Sequence, residues 1–249
     1  MIPEFLYTKL INQYGENITN KIINGYNENK IVSLRVNTIK TTKEEILKVL
    51  NDNNITYEEI FWYDSALVVN VSEAVLTNLD IYKNGFIYLQ SLSSQLPPLF
   101  LDPKESELIL DMTAAPGGKT TEIAALSNNK AMITAIEKNK IRSDRLQYNI
   151  DKLGAKKVSV LNTDARNLNE YFMFDKILLD APCSGSGTLN TINDSIEKYF
   201  SKDLIKRSVK FQEELLLKAL KITKKDGEVI YSTCSILEEE NEKVLENVK

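Results

Sequence analysis

The 249-residue sequence contains no histidine. That removes the usual general base at neutral pH and the commonest metal ligand. It has two cysteines, Cys183 and Cys234. Two thiols without histidine cannot complete a four-ligand structural zinc site, so no metal is expected. In a reducing compartment they are expected as free thiols rather than a disulfide. No apolar run reaches the roughly 18 residues of a membrane span. The opening "MIPEFLYTKL" lacks the basic start and long apolar stretch of a signal peptide. These absences predict a cytoplasmic protein, taken as a monomer, whose catalysis runs on thiol, carboxylate, lysine or tyrosine.

Charge is also scarce in net terms, at −4. Bulk electrostatics therefore give no general attraction to nucleic acid. The distribution is less even. Between Lys138 and Lys157 stand seven basic residues (Lys138, Lys140, Arg142, Arg145, Lys152, Lys156, Lys157) against Asp144 and Asp151. A local patch of this kind can supply phosphate contacts that the average hides, although a solvated helix face carries the same signature.

What is present divides at "QLPPLFLDPKESE", residues 95–107, where three prolines punctuate the chain. Before it, alternation predicts strands at 32–39, 66–71 and 85–90. A helix over 41–54 opens with the Thr42/Glu45 spacing of a capping box. This fits a small α+β module over residues 1–100. After it, strands are predicted at 107–112, 131–137, 157–162, 174–181 and 227–234. Helices fit "GKTTEIAALS", "NKIRSDRLQYNIDKLG" and "SKDLIKRSVKFQEELLLKALKI". That alternation makes residues 101–249 an α/β, Rossmann-like domain with a mostly parallel sheet, whose ligands bind at the C-terminal strand ends.

The first such strand end is "LDMTAAPGGKTT". Its Gly-Gly-Lys-Thr resembles the end of a phosphate loop, but Thr113 occupies the position of the first glycine that loop requires. Pro116 also removes a backbone donor. No G-x-G-x-x-G is found there either. Small residues Ala114, Ala115, Gly117 and Gly118 instead allow a ligand close to the backbone. Glu137 closes the second strand about 20 residues on, where an acid holds ribose hydroxyls in dinucleotide folds. Asp164 follows the third, placed to reach an adenine amino group. A nucleoside site without pyrophosphate points to S-adenosylmethionine.

The two cysteines follow the fourth and fifth strands, in "LLDAPCSGSGTL" and "VIYSTCSILEEEN". A thiol beside a methyl donor suits methylation at carbon 5 of cytosine, a poor nucleophile until a thiolate adds at carbon 6. Asp180 is placed to share a proton with ring nitrogen 3. Cys183 is a candidate to assist removal of the carbon 5 proton.

The motifs "LDMTAAPGGKTT", "DAPCSGSGT" and "YSTCS", with "SLRVNT" and "LQSLSSQLPP" upstream, resemble those of the RsmB/Sun-type (NOL/NOP/Sun) RNA cytosine-5 methyltransferases, over roughly residues 30–245. The resemblance implies a class I methyltransferase fold with S-adenosylmethionine lined by Thr113, Ala114, Ala115, Pro116, Gly117, Gly118 and Lys119. Glu137 would bind the ribose and Asp164 would lie near the adenine. Asp180 would contact the cytosine and complete the cofactor site. Cys234 would be the nucleophile and Cys183 would assist release. DNA cytosine methyltransferases use the Pro-Cys cysteine as nucleophile, so the Thr-Cys motif argues for an RNA substrate, ribosomal or transfer RNA.

Three departures accompany the resemblance. Thr113 stands where the family often has cysteine. No NusB-like or PUA-like auxiliary domain is evident, which assigns RNA selection to residues 1–100 or to a partner. The sequence stops about 15 residues after Cys234, where this class usually adds two more strands. The expectation is a truncated product, or another segment covering that sheet edge. The reading from a different class is a non-catalytic RNA-binding or ribosome-assembly module that keeps the fold. A small-molecule methyltransferase would leave the two thiols unexplained.

Overall fold

The computed structural model describes residues 2–192 and 196–248. In chain order the first elements are α1 (Glu4–Tyr26), β1 (Val32–Val36), α2 (Lys43–Asp52), β2 (Tyr57–Glu59), β3 (Ala66–Val69), α3 (Glu73–Asn78), α4 (Asp80–Lys83), β4 (Ile87–Leu89) and α5 (Leu92–Leu101). They are followed by β5 (Leu108–Asp111), α6 (Gly118–Leu126), β6 (Met132–Ile136), α7 (Lys140–Leu153), β7 (Val158–Leu161), β8 (Phe174–Asp180), α8 (Lys202–Lys221), β9 (Thr223–Ser232) and α9 (Glu242–Asn247). Among the described residues no helix is long and apolar enough to cross a membrane.

The chain forms two compact units. The larger comprises residues 31–180 and 221–230; the smaller comprises residues 1–30, 181–220 and 231–249. The larger unit holds an antiparallel sheet of order β2-β3-β1-β4. Its register places Leu34 opposite both Leu67 and Leu89. One face of this sheet joins Ile46 and Leu50 of α2 in a buried apolar cluster. The capping box forms as the spacing predicts: Thr42 accepts from the Glu45 N–H, and the Glu45 carboxylate accepts from the Thr42 N–H.

The second sheet has the order β7-β6-β5-β8-β9, with β5 parallel to β6 and β8, and β6 parallel to β7. The order places β5 centrally, so its C-terminal end is flanked by β6 and β8. Ile109, Ile133 and Leu178 of the sheet bury against Ile123 of α6 and Leu146 and Ile150 of α7.

The proline stretch is helical rather than open. Ser91 caps α5 by accepting from the Ser94 N–H, and the helix runs through Pro97 and Pro98. Pro98 has no N–H to give the Ser94 carbonyl. The Gln90 side-chain amide donates to that carbonyl instead, at 3.1 Å, so the lost backbone bond leaves no orphan acceptor.

A polar group lies buried beside this turn. Arg35 of β1 is fully buried, with Nε donating to Gln90 Oε1 at 3.0 Å and Nη2 to Thr121 Oγ1 at 3.1 Å. Glu122 of α6 accepts from Gln90 Nε2 at 2.7 Å and lies 3.8 Å from Arg35 Nε. Burial outweighs the Arg35 charge and pushes the Glu122 carboxyl up to about 7. The folded state therefore holds a proton that the unfolded chain has released. Stability from this group is complete below the ordinary carboxylate range and is lost as pH rises towards about 7. Glu122→Gln is expected to flatten the fall in thermal midpoint between about pH 5 and 7, a change on the order of 3 kcal/mol. Thermal melts of both proteins across that range check it; parallel pH profiles would contradict it.

Candidate active site

The larger unit carries a cavity of about 220 Å³ at the C-terminal end of β5. The β5–α6 turn forms its floor, with Thr113, Ala114, Ala115, Pro116, Gly118 and Lys119 in the lining together with Asp111, Asp180 and the Tyr88–Ser91 segment. Gly117 precedes α6 with φ of +108°, in the left-handed region that favours glycine. A Cβ on Gly118 would stand 2.8 Å from the edge of the Tyr88 ring, so the ring rests on bare backbone.

Part of the backbone here is committed elsewhere. The Ala114 N–H is spent on the Ile136 carbonyl at 2.9 Å, the Met112 N–H on Leu178 at 3.0 Å, and Pro116 has none. From α7, Arg142 Nη2 donates to the Ala115 carbonyl at 2.9 Å and Asn149 Nδ2 to the Pro116 carbonyl at 2.7 Å. The turn is thus anchored by its own polar groups and offers small side chains and closely approachable backbone to a ligand.

The charged groups lining the cavity are Asp111, Asp180 and Lys119. Asp111 is fully buried, accepts from Thr120 Oγ1 at 2.6 Å, and is pushed up to about 6 chiefly by burial, with Asp180 adding to the shift. Asp180 Oδ2 lies 2.7 Å from Lys119 Nζ, and its backbone carbonyl accepts from Thr113 Oγ1 at 2.8 Å. Lys119, rather than meeting a phosphate, orients Asp180.

Glu137, Asp164 and Gly117 do not line this cavity. Glu137 directly follows β6 and is buried, accepting from the Asn139 N–H at 2.8 Å with Arg142 Nη2 3.5 Å away. Asn162 Nδ2 donates to the Glu137 carbonyl at 2.7 Å, which ties the ends of β6 and β7 together. Asp164 lies three residues past β7 and is gripped by Arg166, with Oδ2 2.6 Å from Nη2. The Arg166 hydrogen bonds hold the Asp164 carboxyl below the usual carboxylate range.

The smaller unit carries the thiols. Cys183 Sγ and Cys234 Sγ are 2.8 Å apart and neither cysteine is in a disulfide. Cys183 is half-buried and Cys234 is exposed. The hydrogen bond with Cys234, followed by burial, pushes the Cys183 thiol far up. The two loops approach at backbone level. The Gly187 N–H donates to the Cys234 carbonyl at 2.9 Å, and a Cβ on Gly187 would fall 2.7 Å from that oxygen. Only glycine permits this approach.

Sequence reasoning missed what surrounds the thiols. Helix α1 supplies Tyr26, whose hydroxyl donates to the Ser186 carbonyl at 2.6 Å, and Gln13, whose amide donates to the Ile236 carbonyl at 3.0 Å. Leu6, Leu10 and Tyr26 of that helix pack with Leu189, Ile196 and Leu237. Also missed was Glu240, fully buried among the residues of both cysteine loops. Its signal was the "EEENE" run after the Thr-Cys motif, which reads as surface charge until one acid proves to be inside.

Residues 98–248 match the family model described as 16S rRNA methyltransferase RsmB/F, and residues 2–75 match the RsmF/B-like ferredoxin-like domain. Ribosomal RNA small subunit methyltransferase F of Shewanella piezotolerans is 35% identical over 224 residues, covering 87% of the chain and 47% of that relative. The same-named protein of Vibrio vulnificus is 34% identical over 223 residues, again covering 87% of the chain and 47% of the relative. The chain thus spans about half the length of the curated relatives it matches. Among solved structures, a methyltransferase homolog protein from Pyrococcus horikoshii is 33% identical with a TM-score of 0.87, covering 98% of the chain and 77% of its own. NSun6 from Pyrococcus horikoshii, solved with SFG, is 25% identical with a TM-score of 0.88, covering 99% and 86%.

Proposed function

The chain belongs to the 16S rRNA methyltransferase RsmB/F family, and from that premise we propose that it transfers a methyl group from S-adenosylmethionine to carbon 5 of a cytosine in RNA. The observation that carries the proposal is the pair of thiols 2.8 Å apart. A methyl transfer to nitrogen or oxygen has no use for them, whereas carbon 5 chemistry uses one thiol to bond the base and a second group to accept a proton.

The cavity residues fit the cofactor. Small side chains at Ala114, Ala115 and Gly118 leave room for a nucleoside against the backbone, and the carboxylates of Asp111 and Asp180 face a cavity suited to a cationic sulfonium. Glu137 and Asp164 are assigned to the ribose and adenine. When bound, S-adenosylmethionine supplies an electrophilic methyl group.

The chain's residues do the rest. The Cys234 thiolate adds to carbon 6 of the cytosine, breaking the 5,6 double bond and making carbon 5 nucleophilic. Asp180, oriented by Lys119, contacts the base at nitrogen 3 and shares a proton with it there. After methylation a base takes the proton from carbon 5, the double bond re-forms, and Cys234 leaves with the electrons of the carbon–sulfur bond. We assign that second phase to Cys183.

The target base must leave its stack to reach a thiol, and we assign RNA capture to residues 1–100. The test is transfer of a tritiated methyl group to small-subunit ribosomal RNA and to bulk transfer RNA, followed by nucleoside analysis. The expected product is 5-methylcytidine in one of the two. Cofactor binding without label in either RNA would favour the non-catalytic module instead.

A further inference from the structure

We infer that Glu240 is a positioning residue for the thiol pair, holding Cys183 and Cys234 in register from beneath. The inference rests on the covalent reading of Cys234 given above. The feature that carries it is a repeated dipeptide. Each cysteine is followed by a serine, Ser184 and Ser235, and both serines bond to the same carboxylate.

Glu240 is fully buried. Its Oε1 accepts from the Ser184 backbone N–H at 2.7 Å and from Gln212 Nε2 at 3.3 Å. Its Oε2 accepts from Ser184 Oγ at 2.5 Å and from Ser235 Oγ at 2.6 Å. Every contact is a donor facing a group that, ionised, only accepts. Gln212 extends the arrangement by also donating to the Pro182 carbonyl at 2.9 Å, one residue before Cys183. The Glu240 carbonyl accepts from the Tyr231 hydroxyl at 2.7 Å, fixing the end of the strand that leads to Cys234.

Next to it, Asn241 grips the Cys234 loop alone. Its Oδ1 accepts from Thr233 Oγ1 at 2.7 Å, and its Nδ2 donates to the Ser235 carbonyl at 3.1 Å. The division of labour is clear in the contacts: Asn241 shapes one loop, while Glu240 joins two. A buried carboxylate is a poor device for stability alone, since well-packed apolar groups of similar volume often do as well or better. What it adds is direction, because charge-assisted bonds are short and angularly demanding. Two loops tethered to one carboxylate through their serines keep the neighbouring sulfurs in a fixed relation.

The test is Glu240→Gln in the full chain, which keeps the shape and removes an acceptor. Three readouts accompany it. The first is the rate at which diamide oxidises Cys183 and Cys234 to a disulfide, the two thiol hydrogens passing to the diazene to give the hydrazine. This rate reports the sulfur–sulfur relation directly and is expected to fall at least tenfold. The second is turnover, where kcat is expected to fall about thirtyfold, with KM for RNA and for S-adenosylmethionine within threefold. The third is thermal midpoint and calorimetric cofactor affinity, expected to stay close to those of the parent. A variant with Ser184→Ala and Ser235→Ala keeps the carboxylate and removes both hydroxyl tethers; it is expected to slow the oxidation severalfold. Parent-like oxidation and kcat in E240Q would overturn the inference. So would a parallel loss of cofactor affinity and thermal midpoint in both variants, which would mark Glu240 as structural support only. Cys234→Ala run alongside separates the two levels: if it stays active, the covalent reading falls, whereas an inactive C234A with a parent-like E240Q removes the positioning role alone.

Discussion

Cys234→Ala is expected to abolish methyl transfer, lowering turnover at least about a thousandfold, while S-adenosylmethionine affinity stays within twofold. The size of the effect follows from the chemistry. Carbon 5 of cytosine carries too little electron density to attack a methyl group unaided, and nothing else in the "YSTCS" loop can supply a carbon–sulfur bond at carbon 6. Single-turnover assays with saturating cofactor, beside calorimetric titration of the same protein, check the two halves together. A variant that retains turnover would remove the covalent step from the account. One that loses cofactor affinity in proportion would show that the thiol serves the fold rather than the reaction.

Cys183→Ala is expected to behave differently: methylation proceeds, but RNA stays attached, so a band of protein plus RNA accumulates on a denaturing gel. The geometry gives the reason. The Cys183 thiol is held far up chiefly by its hydrogen bond with Cys234 Sγ at 2.8 Å. Before reaction it is therefore a proton holder and leaves the nucleophile's role to its exposed neighbour. Once Cys234 sulfur is bonded to carbon 6, it no longer carries a charge, and the main cause of the shift is gone. Cys183 would then give up its own proton to solvent more readily, and the thiolate so formed would take the carbon 5 proton in the release phase. Absence of the retained complex in this variant, with normal product yield, would assign release to another group.

The legibility of this protein in its sequence tracks how local each determinant is. The strands of the parallel sheet are short apolar runs bounded by turn residues, and β5, β6, β7 and β8 lie within the spans that alternation predicts. The helix after the proline stretch, α6, and the capped α2 were equally readable, because caps and glycines act within a few residues. Helix α1 is not legible in the sequence. Gly15 breaks its periodicity with φ of +73°, and its partners, such as the Ile236 carbonyl, lie more than 200 residues away. The helical character of α5 is not legible either, since the backbone bond lost at Pro98 is replaced by a side chain, that of Gln90.

The candidate site divides in the same way. Thr113, Ala114, Ala115, Pro116, Gly118, Lys119 and Asp180 come together around one cavity, as expected of residues at adjacent strand ends. The motif marks Lys119 as a lining residue, but its pairing with Asp180 across 61 residues of sequence is set by the tertiary fold. Glu240 was invisible because a buried acid looks like its solvated neighbours Glu238 and Glu239 in the same run. Nothing in composition marks the acid that folding turns inward.

The central claim is that Cys234, not Cys183, bonds the base. The direct measurement is to incubate the chain and S-adenosylmethionine with RNA carrying 5-fluorocytidine, whose carbon 5 has no proton to lose, so that the adduct cannot resolve. Nuclease and protease digestion followed by mass spectrometry then locates the nucleotide. The account predicts a methylated 5-fluorocytidine attached to the peptide containing Cys234, with Cys183 unmodified. The nucleotide found on Cys183 instead, or on neither cysteine, would contradict it.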